Sequence, residues 1–452
     1  MARSRDNAIV IGAGMGGLLA ARALADDFAT VTLLERDTFP TADISRDGAP
    51  QGDHAHVLLA RGRNVIEALL PGWTDEVVAA GGVRCDLARD VTWVSHGLEL
   101  KPVPSDLIGL LASRPVLEGH VRRRLLALPN VRVIETCAVL GLEASADRST
   151  VTGVRVKRGG RAETIAADLV VDASGHASPS PAWLQSLGYA RPRQDRIDVG
   201  ICYTTRRYRR RPADLDGRFA VMVAGSGPNW RNGAILVQSE DCWIVSVGGY
   251  FGDDACDNER MFAAYIGSLP TRDLYDIVVQ AEPLGDFKTC RYPASLRRRY
   301  ERLTRFPNNY LVFADAICSF NPVHAQGMTV AAQEAILLRD AVRAGTASLA
   351  RRFFTAAAAV IDAPWDIAVG NDLRHPQAKG PRSAKVTFIN WYIDKLHRAA
   401  EHDGNLARAL LRVTNLAAPP LSLLHPAIVS RVIRGNLGDR RREREEAAGA
   451  RA

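Results

Sequence analysis

The 452-residue sequence predicts a mixed α/β (α+β) fold: a parallel βαβ domain, an antiparallel sheet domain inserted into it, and a helical C-terminal region. Three observations predict it. A strand, a glycine-rich turn, a helix and a second strand fill the first thirty-five residues; residues 196–250 read as successive short strands; apolar residues recur at helical spacing from Thr329 onward.

In chain order, Asn7–Ile11 is a short apolar strand and Gly12–Gly17 a turn. Leu18–Asp27 is an Ala- and Leu-rich helix, and Thr30–Leu34 a strand ending at Glu35, which completes a βαβ unit. Arg114–Leu128 reads as a helix that Pro129 stops. Val131–Glu135, Val139–Glu143 and Val151–Arg158 are strands with a turn at Ala146–Ser149, and Asp168–Val171 is another. Asp198–Tyr203, Phe219–Val223 and a hairpin of Ala234–Gln238 with Cys242–Val247 form the antiparallel block. Leu311–Phe313 is a last buried strand and Thr329–Arg343 a helix. The chain to about Arg434 is helical in period, broken by Pro364, Pro376, Pro381, Pro419-Pro420 and Pro426. These elements assign residues 1–75, 105–185 and 300–345 to the βαβ-type domain, and 76–104 and 186–299 to the sheet domain. Residues 346–437 are the helical region, and 438–452 a charged, frayed tail.

The formal charge of +8 invites a nucleic-acid partner, but Lys occurs only at 101, 157, 288, 379, 385 and 395 while Arg is everywhere. With Asp and Glu interspersed, clusters such as Arg122–Arg124 and Arg297–Arg299 read as solvated basic surface, so no nucleic acid is expected. Seven cysteines (85, 137, 202, 242, 256, 290, 318), without a C-x-x-C pair, read as reduced thiols of a cytoplasmic protein. His54 and His56 sit two apart without a third ligand nearby, so no metal is expected. No signal-peptide pattern is present, and no run reaches about 18 uninterrupted apolar residues. Leu406–Ile433, two apolar helices around Pro419-Pro420, could at most touch a membrane surface.

Gly12-Ala-Gly14-Met-Gly-Gly17 satisfies G-x-G-x-x-G after a strand and before a helix, the Rossmann-like context. Gly12 permits the sharp turn, Gly14 lets a pyrophosphate approach the backbone, and Gly17 allows close helix–strand packing. The anion then sits on the helix N-terminus, and Glu35 stands where a ribose hydroxyl is held.

Two distant segments complete the pattern: Asp168-Leu-Val-Val-Asp172-Ala-Ser-Gly175, and Leu311-Val-Phe-Ala-Asp315 followed by Asn321-Pro-Val-His324-Ala-Gln-Gly327-Met328. Together with Glu35-Arg36, their order resembles the FAD-dependent monooxygenases of the aromatic-hydroxylase and squalene-epoxidase type. Gly48–Leu58 and Cys318–Met328 look closest to bacterial polyether epoxidases and related tailoring enzymes. The resemblance implies an FAD-binding domain and assigns roles. Asp172 joins the cofactor residues, and Asp315 holds the ribityl or pyrophosphate region. Pro322, Gly327 and Met328 line the isoalloxazine at a helix start, where backbone N–H groups stabilise negative charge. Arg36, Arg46 and Arg114 contact the cofactor, and the backbone of Val139 meets the adenine. His324 is the one candidate catalytic side chain.

The implied reaction passes one oxygen atom from O2 to a bulky, apolar polyketide or isoprenoid-like substrate through a flavin C4a-hydroperoxide, with alkene epoxidation first. Electrons come from NAD(P)H or from a separate flavin reductase, since there is no second G-x-G-x-x-G. Aromatic hydroxylation, double-bond reduction and a non-redox cyclase retaining FAD stand as alternatives; a phenol would want a general base, which the sequence does not display. Three departures from the family pattern stand out: Ala314 and Ala325 replace glycines, and His176-Ala-Ser-Pro follows Gly175 without an arginine.

Overall fold

The computed structural model describes residues 6–449 except 41–43, 47, 49, 226–229 and 256. Cys256, the residues following Gly225, and the last three residues of the expected tail lie outside the described residues. The other six cysteines are unpaired, and all but Cys290 are buried.

A five-stranded parallel sheet holds the N-terminal unit. Its order is Tyr310–Val312, Leu169–Asp172, Asn7–Ile11, Thr30–Leu34 and Val131–Ile134. These strands are short and almost continuously apolar because both faces are covered; Ala8, Val10, Val31, Leu33, Val170 and Leu311 have no exposed surface. The helix Met15–Ala25 packs on Gly327–Arg343, which joins chain ends some three hundred residues apart.

The second large sheet has eight strands in the order Cys318–Ser319, Lys288–Arg298, Gln194–Arg209, Cys242–Gly249, Asn232–Ser239, Ala220–Ala224, Val91–Ser95 and Leu98–Glu99. All neighbours run antiparallel except Ala220–Ala224 against Val91–Ser95. Two smaller antiparallel sheets pair Cys137–Ala144 with Val151–Arg158 and Arg161–Ala166, and Ile108–Leu111 with Val57–Leu58 and Val83–Asp86.

The expected strand Asp198–Tyr203 is part of a much longer one, Gln194–Arg209, whose partner Lys288–Arg298 carries charges and Pro293. Proline is tolerated there because Val199 and Gly200 bulge opposite it: Asp198 faces Ala294 and Ile201 faces Tyr292. The cluster Arg297–Arg299 corrects the expectation of a solvated basic patch. Arg297 and Arg298 are 1% and 5% exposed. Arg297 pairs with Asp362 at 2.7 Å, Arg298 donates to the carbonyls of Ala316 and His176, and Arg299 pairs with Asp195.

Four helices follow: Leu349–Asp372, Ala384–Ala400, Gly404–Thr414 and Pro426–Gly449. Leu349–Asp372 is long and apolar enough to cross a bilayer by length and composition, yet Phe353, Phe354, Ile361 and Trp365 bury into the main core. On Gly404–Thr414, Leu406, Leu410 and Leu411 face a second core, while Leu421 and Ile433 are exposed. Residues 438–449, expected as a frayed tail, continue the last helix. The reason is composition: Arg, Glu and Ala are strong helix formers.

Candidate functional site

The glycine turn is shaped by contact. Gly12 sits at φ +91°, and a Cβ there would stand 2.8 Å from the Ala173 carbonyl oxygen. At Gly17 it would stand 1.8 Å from the Gly12 oxygen, so only hydrogen fits where the helix meets the strand. At Gly14 the nearest group would be the Arg46 guanidinium at 3.7 Å, which leaves this backbone approachable.

Charged side chains gather at the N-terminus of that helix. The Ala13 N–H donates to Glu35 (2.9 Å) and the Met15 N–H to Glu118 (3.2 Å). Arg46, only 9% exposed, bridges Glu35 at 3.1 Å, Glu118 at 3.2 Å and Asp37 at 3.4 Å. Burial pulls its pKa down, but the fields of Glu118 and Glu35 raise it overall. Arg114 pairs with Glu118 at 3.0 Å, and a small cavity between Ile44, Ser45, Arg46, Arg114, Glu118 and Arg122 opens beside them.

Asp315 forms the far wall. Its carboxylate is exposed in the crevice, and a Cβ on Gly327 would lie 3.8 Å from Oδ1. Crowding by protein on its other sides raises its pKa, while Arg114 lowers it. Behind it, the buried Glu334 accepts from the Ala314 N–H at 2.8 Å, and its pKa is pushed up to about 8 by burial. The folded chain therefore keeps a proton that the unfolded chain releases from its ordinary 4.5, and stability falls as pH rises from about 4.5 to about 8. Glu334→Gln should flatten this dependence, with a higher thermal midpoint than the parent at about pH 8, measured by calorimetry against pH.

Ala314 and Ala325, the two departures from glycine, both lie in the left-handed region at φ +55° and +52°. Ala314→Gly should raise the unfolding free energy by about 0.5–1 kcal/mol, roughly 1 °C in thermal midpoint. Ala325 ends the turn Pro322–His324, which the Asn321 side chain caps by accepting from the Val323 N–H.

The large antiparallel sheet covers the loop 54–56. His54 shares a 2.7 Å hydrogen bond with Thr205, whose hydroxyl meets Ser246, and the Ala55 N–H donates to Ser246. Burial pulls His54 and His56 down to about 4, so both imidazoles are neutral near pH 7. A cavity of about 500 Å³ opens between Trp230, Tyr250, Phe251 and His375 on one side and Arg231, Asp253 and Gln377 on the other. His375 Nδ1 accepts from the Gln377 N–H, so its Nε2 carries the proton.

The structure brings Gly12, Gly14, Gly17, Glu35, Arg46, Arg114, Asp315 and Gly327 around one crevice. Pro322 is exposed at the turn and Met328 buried at the following helix start; Val139 is half-buried on its strand beside Cys137, whose N–H donates to the Glu35 carbonyl. Arg36 points to solvent, and Asp172 lies fully buried beneath the turn, accepting from the Ser174 N–H and the Ser178 and Ser180 hydroxyls. In place of the missing arginine after Gly175, Arg298 clamps the His176 carbonyl from another strand. Sequence reasoning missed Glu118, Arg298, Glu334, Tyr250 and Asp372. Only Glu118 left a signal, its i,i+4 spacing from Arg114.

A glycine cradle that any Cβ would fill, donor N–H groups at a helix start and a facing carboxylate fit a dinucleotide. Residues 7–182 match the family of FAD-dependent oxidoreductases, and FAD is the cofactor. The chain is 34% identical to Protein Rv3254 of Mycobacterium tuberculosis (strain ATCC 25618 / H37Rv), over 96% of this chain and 94% of that protein. The fold is that of flavin-dependent monooxygenases. Flavin-dependent brominase Bmp2 superposes with a TM-score of 0.65 at 14% identity, over 97% of this chain and 99% of that one. PqsL of P. aeruginosa, solved with 2-aminobenzoylacetate, gives 0.62 at 17% identity, over 81% and 97%. The oxygenase of 2-methyl-3-hydroxypyridine-5-carboxylic acid gives 0.59 at 18% identity, over 82% and 90%.

Proposed function

We propose that this enzyme is a monooxygenase that inserts one oxygen atom from O2 into a bulky, apolar polyketide or isoprenoid-like substrate, by alkene epoxidation. NAD(P)H, directly or through a separate flavin reductase, provides the electrons, and the protein works in the cytoplasm. The observation that carries this reading is the meeting of three parts at one crevice: the glycine turn, Asp315, and the helix-start loop Asn321–Met328. FAD, when bound, supplies the chemistry with electrons and oxygen. The chain's own task is placement. The N-terminus of Met15–Ala25 would hold the pyrophosphate, and the start of Gly327–Arg343 would hold the ring. The cavity of about 500 Å³ has room for a large substrate, with aromatic walls at Trp230, Tyr250 and Phe251 and polar groups at Arg231, Asp253, His375 and Gln377 to orient it. Neutral His54 and its hydroxyl partners close the sheet side against water.

The test is the visible spectrum of the purified protein, taken anaerobically, then with NADPH, then with oxygen. A yellow protein that bleaches and re-oxidises, with ¹⁸O from ¹⁸O2 in the product, supports the reading. Turnover of an alkene without oxygen would replace it with double-bond reduction.

A further inference from the structure

We propose that Asp372 and His324 form a buried proton relay behind the Asn321–Met328 loop, delivering protons to and from the reacting centre. The inference rests on that loop bordering the flavin site. Asp372 ends the long helix Leu349–Asp372 and is 1% exposed. Its Oδ1 accepts from Asn321 Nδ2 at 2.8 Å and from the Tyr250 hydroxyl at 3.3 Å. Its Oδ2 is buried with no hydrogen-bond partner among the described residues. Among the described residues, a second buried, unpartnered polar atom, His324 Nε2, lies 4.0 Å from Oδ1.

This arrangement is asymmetric in a chemically specific way. Two donors converge on one oxygen and none on the other, an arrangement that leaves Oδ2 free to carry a proton. A bare carboxylate held by two neutral donors at this depth would be costly. Among the described residues no Lys or Arg pairs with it. The groups facing Asp372 are Tyr250 from the sheet, Asn321 and His324 from the loop, and Arg374 and His375 beyond the helix end. Arg374 is engaged by Asp394 at 2.6 Å, and the nearby Arg382 by the carbonyls of Leu373, His375 and Ala378. Burial raises Asp372 to about 7 and lowers His324 to about 4, so the resting pair is acid plus free imidazole near neutral pH.

His324 Nε2 stands 4.0 Å from Oδ1, so an imidazole rotation together with a turn of the carboxyl brings the Oδ2–H onto Nε2. The Oδ2–H bond then breaks as an Nε2–H bond forms, and the imidazolium gives its Nδ1 proton to an anionic atom bound at the loop. The reverse steps recharge Asp372 from solvent. No electrons move. His324 keeps 14% of its side chain exposed, as a group linking an interior acid to the crevice must.

The test is infrared titration of the full-length FAD-loaded protein, following the carbonyl band of buried carboxylic acid. The parent should lose a band component with a midpoint near pH 7. Asp372→Asn should abolish that component, and Glu334→Gln should leave it. His324→Gln removes the acceptor that favours the protonated carboxyl and should move the midpoint down by about one unit. Tyr250→Phe, which removes a donor from Oδ1, should move it up and covers the case in which Asp372→Asn does not fold. A component that survives Asp372→Asn, or a midpoint unmoved by His324→Gln, overturns the relay. Flavin absorbance of the same samples reports on the cofactor site, so the two readings fail separately.

Discussion

Gly17→Ala should yield a protein that carries less than about a tenth of the parent's flavin, read as the ratio of visible to protein absorbance. The added Cβ would lie 1.8 Å from the Gly12 carbonyl oxygen and 2.8 Å from its carbon. Both are backbone atoms, so no side chain can rotate away. Either Met15–Ala25 lifts from the strand Asn7–Ile11 or the Gly12 turn opens, and each loses the aligned N–H groups. The strain should exceed about 3 kcal/mol, beyond ordinary overpacking. Gly14→Ala is the control. Its new methyl group would meet only Arg46 at 3.7 Å, so the chain should fold while cofactor affinity drops. Full flavin content in Gly17→Ala would refute the packing role given to this glycine.

Arg46→Met should lower the unfolding free energy by about 3–5 kcal/mol, because it strands buried charge rather than deleting a surface pair. Glu35 and Glu118 are each 6% exposed, and Arg46 is the shared cation between them. Denaturant titration checks the figure. The double variant Arg46→Met, Glu118→Gln should lose less than the sum of the single losses, since the second change removes a carboxylate that the first left uncompensated. Strict additivity would show that the two side chains do not share one network.

The parts of the site that sequence displayed are those where the chain dictates its own geometry. Gly12, Gly14 and Gly17 announce a turn because only their spacing, between a strand and a helix, lets backbone approach backbone. Asp315 and Asn321–Met328 follow a buried strand within a few residues, so local order carries the pattern. The parts it hid are made by tertiary meeting. Asp372 lies 51 residues from Asn321 and 122 from Tyr250, and nothing near any of the three marks the others. Arg298 reads as one more arginine in a basic run until the sheet places it beneath two loops. The strand Lys288–Arg298 was illegible for a related reason: its proline is excused by a bulge on a different strand. The proton-holding character of Asp372 was likewise invisible, because it arises only through burial.

The five-stranded sheet also sets a timetable for folding. Its edge strand Tyr310–Val312 pairs with Leu169–Asp172, so the sheet is incomplete until synthesis has passed residue 312. At about 5–20 residues per second, the nascent chain waits roughly 15–55 s between finishing Thr30–Leu34 and gaining that last strand. For roughly the last 7–28 s of that wait, after its own synthesis, Leu169–Asp172 presents an apolar edge with unpaired backbone groups, the kind of template on which other chains add. A fragment ending at residue 300 should therefore aggregate, and a chaperone that holds the chain through this interval should raise the yield of the whole protein more than any change at the crevice.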